Sequence, residues 1–176
     1  MVKKSVILYP AILFFVLFLG AGCSSDTDKK HPAVKDHKEI SPDFTLKKLG
    51  IDEYVELSDF KGRPVFLDFW ATWCPPCKAS MPMVDKMYEK YSGKVHFIGI
   101  NLDVDVPKAV KYIKDNEVPY TQLEGINTDV QERFSVHGIP AFFILDEDSV
   151  VLERFIGYRP DHYNTWTEIL DGIIQE

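Results

Sequence analysis

The sequence predicts an α/β fold, a central mixed sheet flanked by helices, and three observations predict it. Val65 to Trp70 is an apolar run rich in Val and Phe and Val95 to Leu102 a continuous apolar run, both of strand length, as expected of strands buried on both faces. Stretches with apolar residues at helical spacing separate these runs from later ones. Late in the chain, Ala141 to Leu145 and Val150 to Ile156 flank Asp146-Glu147-Asp148-Ser149, which has hairpin composition and implies an antiparallel pair.

The elements follow in order. Phe44 and Leu46 alternate with polar neighbours, Gly50 to Glu53 turns, and Tyr54 to Leu57 alternates again, which reads as a hairpin ahead of the core. Ser58 to Gly62 is a short connection to the Val65 strand. Met83, Val84, Met87, Tyr88 and Tyr91 then recur as the core face of a helix that contains Pro82. Pro107 to Asn116 reads as an amphipathic helix with Ala109, Val110 and Ile113 on one side. Tyr120 to Leu123 offers a short strand, and Asn127 to Phe134 a brief helix capped by Asn127 or Thr128. From Pro160 to Ile174, Tyr163, Trp166, Ile169, Leu170 and Ile173 form a helical stripe that packs on the sheet.

The chain has 176 residues, enough for one domain with a sizeable core. Its formal charge of −7 argues against a nucleic-acid partner. Residues 1–22 read as a secretory signal, with Lys3 and Lys4, an apolar run from Val6 to Leu19, then small residues leading to Cys23. Left uncleaved, the same segment would act as a signal anchor, although the run is shorter than the roughly 20 residues that span a bilayer comfortably. Residues 23–40 are polar and charged and read as a tether, with His31 and His37 as linker residues, and the folded domain is assigned to residues 41–176.

The chemistry concentrates in Leu67 to Lys78, read L-D-F-W-A-T-W-C-P-P-C-K. Cys74 and Cys77 stand where a buried strand feeds a helix N-terminus, whose free N–H groups and dipole stabilise a thiolate on the first sulfur. Exposure there should help, with Cys77 one turn in and more buried. Pro75 and Pro76 stiffen the loop, and Pro76 lacks an N–H. Trp73 would flank the cysteines as an apolar wall. A zinc site would want a second Cys/His pair at ligand spacing, and the chain has three cysteines and five scattered histidines, so no metal and no organic cofactor is expected. Asp68 places a carboxyl inside a Val/Phe strand, which is costly without a purpose, and burial should raise its pKa.

The W-C-P-P-C-K block after D-F-W resembles the active site of the thioredoxin superfamily. With P-D-F-T-L and L-S-D-F-K-G-R-P before it, the chain looks most like the membrane-tethered TlpA/ResA-like branch, related to the AhpC/TSA-type peroxiredoxins, from about Ser41 onward. The resemblance implies a thioredoxin fold with an N-terminal β-hairpin extension and a βαβ insert between about Leu102 and Glu124. It implies an extracytoplasmic thiol–disulfide oxidoreductase, most of all a protein disulfide reductase. Cys74 is then the nucleophile, Cys77 the resolving thiol, and Asp68 the proton acceptor. His137-Gly138-Ile139-Pro140-Ala141 resembles the cis-proline loop, with Ile139 offering backbone groups to the substrate and Pro140 closing against the dithiol. Trp73, Pro75 and Pro76 would line the same substrate surface. Cys23 after small residues resembles the lipobox cysteine of bacterial lipoproteins and would carry the lipid, although Gly20 stands where that motif has Leu.

The implied partners are protein disulfides, with apocytochrome c as a substrate class, a membrane thiol-electron donor, and the membrane itself through the anchor; a monomer is expected. Two departures stand out. The lysine that partners the buried acid in thioredoxins is replaced by Gly99, and the Glu that TlpA/ResA-like proteins often carry three residues after the second cysteine is Ser80. Two other readings stay open: a thiol peroxidase with antioxidant activity, and a non-catalytic module that uses the fold for docking.

Overall fold

The computed structural model describes residues 39–40 and 43–174. The chain divides into a unit of residues 1–33 and a unit of residues 34–176, and the described residues all lie in the second. The signal segment, Cys23, His31 and His37 lie outside the described residues.

Strands Glu39–Ile40 (β1), Thr45–Lys48 (β2), Tyr54–Glu56 (β3), Val65–Trp70 (β4), His96–Asn101 (β5), Thr121–Glu124 (β6), Ala141–Leu145 (β7) and Val150–Ile156 (β8) form one eight-stranded sheet in the order β1-β8-β7-β4-β5-β6-β2-β3. β4, β5 and β6 run parallel, and every other pairing is antiparallel. The sheet is mixed, as expected, and β2–β3 is the expected hairpin, added at the edge beyond β6. The tether boundary at residue 40 differs from the structure, because Glu39–Ile40 pairs with β8 and the sheet therefore begins before Ser41.

Helices Pro75–Tyr91 (α1), Val106–Asp115 (α2), Val130–Arg133 (α3) and His162–Ile173 (α4) connect or flank the strands. Alternation along β4 sends its side chains to two cores. Phe66 joins Phe97 and Phe142 beneath Val84, Met87 and Tyr91 of α1 and Trp166 and Leu170 of α4. Trp166 is completely buried, with its ring 4.6 Å from that of Phe142 and 5.0 Å from that of Phe66. Leu67 and Phe69 point the other way, to Leu46, Leu57, Val130, Phe134 and Phe143. Burying side chains of this size stabilises the fold by about 1.5–3 kcal/mol each, which holds the sheet rigid under the site.

The short helix α3 starts later than the sequence suggests, with Asp129 at its N-cap. Asn127 adopts φ 58°, outside the helical range, and Thr128 Oγ1 accepts from the Val130 N–H at 3.3 Å. Thr128 therefore steadies the turn without being the cap residue.

Candidate active site

β4 ends at Trp70, and the next four residues carry the chain to the N-terminus of α1. Cys74 is the N-cap and Pro75 the first helical residue, where proline costs nothing because that N–H would be free anyway. The cysteines form a disulfide with their Cα atoms 5.3 Å apart. The Cys77 N–H points at Cys74 Sγ from 3.2 Å, so the helix aims a free donor at the sulfur that would carry the charge once reduced. Ser80, buried in the next turn, donates to the Cys77 carbonyl at 2.8 Å and leaves no acid at that position.

The expected contrast in burial between the two sulfurs is not present in this disulfide form. Cys74 is 3% exposed and Cys77 1%. What the mouth of the site exposes is Trp73, at 61%, together with Pro75 and Pro76. Across from them the Ile139–Pro140 bond is cis, and the Ile139 carbonyl oxygen lies 3.7 Å from Cys74 Sγ. Trp73, Pro75, Pro76, Ile139 and Pro140 are thus gathered around one disulfide, whereas His137 is an exposed loop residue.

Asp68 lies inside the sheet, 1% exposed. Tyr120 donates its hydroxyl to Asp68 Oδ2 at 3.3 Å, while Oδ1 is buried with no partner among the described residues. Burial pushes the carboxyl up to about 7 from its ordinary 3.8; the Tyr120 hydrogen bond opposes this and the Asp85 charge adds to it. In register, Asp68 faces Gly99 and Gly99 faces Gln122. A Cβ on Gly99 would come within 2.1 Å of Gln122 Oε1, so this position admits no side chain while Gln122 stays in place. Gln122 in turn accepts from Trp70 Nε1 at 2.8 Å.

Sequence reasoning missed Tyr120 as the partner of the acid and Gln122 as the side chain that fills the space at Gly99, and it missed a clamp before the cysteines. Asp103, 2% exposed, accepts from the Thr72 N–H at 2.7 Å, the Thr72 hydroxyl at 2.5 Å and Asn101 Nδ2 at 2.8 Å. This ties the turn before Cys74 to the end of β5. The available signal was two polar residues, Asn101 and Asp103, closing an otherwise apolar run. No group of three or more His, Cys, Asp or Glu side chains among the described residues could hold a metal ion. No helix among them is long and apolar enough to cross a membrane.

Comparison with known proteins agrees with this geometry. The Redoxin family model matches residues 35–170. A thiol-disulfide oxidoreductase ResA of Bacillus cereus is 29% identical over 99% of this chain and 98% of its own. Thioredoxin-like protein YneN of Bacillus subtilis is 30% identical over 83% of this chain and 86% of its own. A crystal structure assigned to thiol:disulfide interchange protein DsbE from Chlorobium tepidum superposes with a TM-score of 0.73 at 29% identity, covering 78% of this chain and 96% of that one. With a cysteine pair closed at a helix N-terminus and relatives of this kind along its length, the chain belongs to the Redoxin family and is a thiol–disulfide oxidoreductase of the ResA/DsbE type.

Proposed function

We propose that the chain is an extracytoplasmic protein disulfide reductase, held at a bacterial membrane by a lipid on Cys23. The observation that carries the reductase reading is the disulfide at the start of α1, faced by the Ile139 carbonyl, with Asp68 buried in the strand that leads to that helix. In the reduced form, the Cys74 thiolate attacks one sulfur of a substrate disulfide and the other substrate sulfur leaves as a thiolate. Cys77 then passes its proton through water to Asp68 and attacks Cys74 Sγ, which closes the enzyme disulfide and releases the second substrate thiol. Two electrons pass to the substrate, and a membrane thiol donor restores the dithiol.

Ile139 supports the attack by offering its backbone to the strand that carries the substrate disulfide. Trp73, Pro75 and Pro76 form the apolar side of that surface, and Pro140 sets its far wall. Apocytochrome c is the substrate class to test first, on the TlpA/ResA-like resemblance. The anchor reading rests on the basic start, the apolar run and Cys23.

Cys77→Ser tests the reading, because it removes the resolving thiol and strands the mixed disulfide on Cys74. Non-reducing electrophoresis of membranes from cells expressing it should show trapped species that vanish with reductant, with haem-attachment peptides in their digests. Adding Cys23→Ala should move those species out of the membrane fraction. Absence of any trapped species overturns Cys74 as nucleophile, and an unchanged membrane fraction overturns the lipid anchor.

A further inference from the structure

Asp68 raises a question that the dithiol geometry does not answer: what holds a buried carboxyl when the strand beside it has Gly99 instead of a cation? The hydrogen bond from Tyr120 spans 52 positions in sequence and comes from the segment between β5 and β6. We propose that Tyr120 is the positioning residue for Asp68, engaging Oδ2 and leaving Oδ1 as the atom that receives the Cys77 proton. The proposal rests on the acid–base part assigned to Asp68 above and adds the group that orients it.

The hydroxyl is well held. Tyr120 is 5% exposed, and its ring lies 6.2 Å from that of Tyr88 on α1 and 6.4 Å from that of Phe97 on β5. Gln122 Nε2 donates to the Tyr120 carbonyl at 3.4 Å, and the same amide accepts from Trp70, so the space left by Gly99 is filled by the side chain that steadies Tyr120. Burial, followed by the charge of Asp68, raises the Tyr120 hydroxyl well above its ordinary value, which keeps it protonated and a donor. Asp68 Oδ1 is left buried and without a partner among the described residues.

The charged and titratable groups that act on the acid, directly or through Asp85 and Tyr120, come from three further places in the fold. α1 contributes Asp85 and the Tyr88 ring beside that of Tyr120, with Glu89 acting on Asp85; α2 contributes Tyr112, which feels Asp85; Tyr120, just before β6, completes the set. The one charge among the described residues that bears on Asp68 is the like charge of Asp85. Tyr120 is therefore the only side chain among them seen to favour the carboxylate over the acid.

The test is Tyr120→Phe in the full-length chain, which removes one oxygen and leaves the ring packing. Carbon-13 titration of the Asp68 carboxyl should move its midpoint upward from about 7, by about one pH unit for a lost donor. In single-turnover kinetics the pH profile of the release step should rise by the same amount, with the initial attack unaltered. Asp68→Asn combined with Tyr120→Phe should release substrate no more slowly than Asp68→Asn alone. If Tyr120→Phe does not fold, difluorotyrosine placed at 120 keeps the shape and donates more strongly, so the midpoint should fall. A midpoint unmoved in the folded variant, or moved in the opposite sense, overturns the proposal. A midpoint that moves while the release profile stays put keeps Tyr120 as the carboxyl's partner and overturns the proton transfer to Asp68.

Discussion

Asp68 on β4 and Asp103 just past β5 are acids of nearly equal burial, 1% and 2% exposed, on neighbouring strands, and their surroundings differ completely. Asp103 has both oxygens occupied, Oδ1 by the Thr72 hydroxyl and Oδ2 by the Thr72 N–H and Asn101. Asp68 has one oxygen occupied at 3.3 Å and one with no partner among the described residues. A buried polar group whose sites are filled is a structural fastening, whereas one left half-filled is a group that can still take a proton. Burial alone does not separate the two roles; the donor count does.

The comparison breaks most visibly at the fastening. Asp103→Ala would leave the Thr72 N–H and the Asn101 amide in the interior without an acceptor, at about 1–3 kcal/mol for each stranded group. The expected loss is about 3–5 kcal/mol in urea unfolding at pH 7. Because Thr72 stands two residues before Cys74, the rate at which Cys74 reacts with a small disulfide should fall as well. A loss under about 1 kcal/mol would mean that the clamp is idle.

Asp68→Asn should act in the opposite direction. The folded midpoint, about 7, stands above the ordinary 3.8, so the neutral acid's contribution to stability is complete below about pH 4. It is then lost as pH rises through about 7, where the folded chain must carry a buried charge. Three units at about 1.4 kcal/mol each give about 4 kcal/mol. Relative to its value at pH 4, the stability of Asp68→Asn over the parent should therefore grow by up to about 4 kcal/mol by pH 8. The variant should meanwhile release reduced substrate more slowly than it forms the mixed disulfide. A stability difference that does not change with pH would make Asp68 another filled site.

What was legible in the sequence follows from the range of the interactions. β4, α1 and the Cys74–Cys77 step are written in contiguous residues, and the Ile139–Pro140 loop in a short motif. Asp68 stood out because one acid interrupts an apolar run. Tyr120 and Asp103 did not, since they reach their partners across 52 and 31 positions and depend on strand register. Gly99 shows the limit: its sequence reading is a missing lysine, and only the alignment of β4, β5 and β6 shows that it makes room for Gln122. The two-residue strand Glu39–Ile40 has no periodicity to detect, and the free edge of β8 supplies its pairing. The closeness of Cys74 to Ile139 spans 65 positions, and the sequence offers it only through the resemblance of the His137–Ala141 loop to the cis-proline loop.

The finest test of the contrast between the acids is Asp85→Asn. Asp85 is half-buried on α1, eight residues beyond Cys77, or about 12 Å along the helix axis. Burial first, then Glu89, raises its own carboxyl, and Oδ1 is buried without a partner among the described residues. Its charge disfavours ionisation of Asp68, so removing it should lower the Asp68 midpoint from about 7, by less than about one unit. That is the opposite sign to the loss of Tyr120, and the same carbon-13 titration reads both. Because Asp85 is partly exposed, the shift should shrink as salt is added, whereas the part due to burial should not. An Asp68 midpoint indifferent to both Asp85→Asn and salt would leave burial and Tyr120 as the only influences on the acid. The helix that presents the dithiol would then have no electrostatic part in tuning the group behind it.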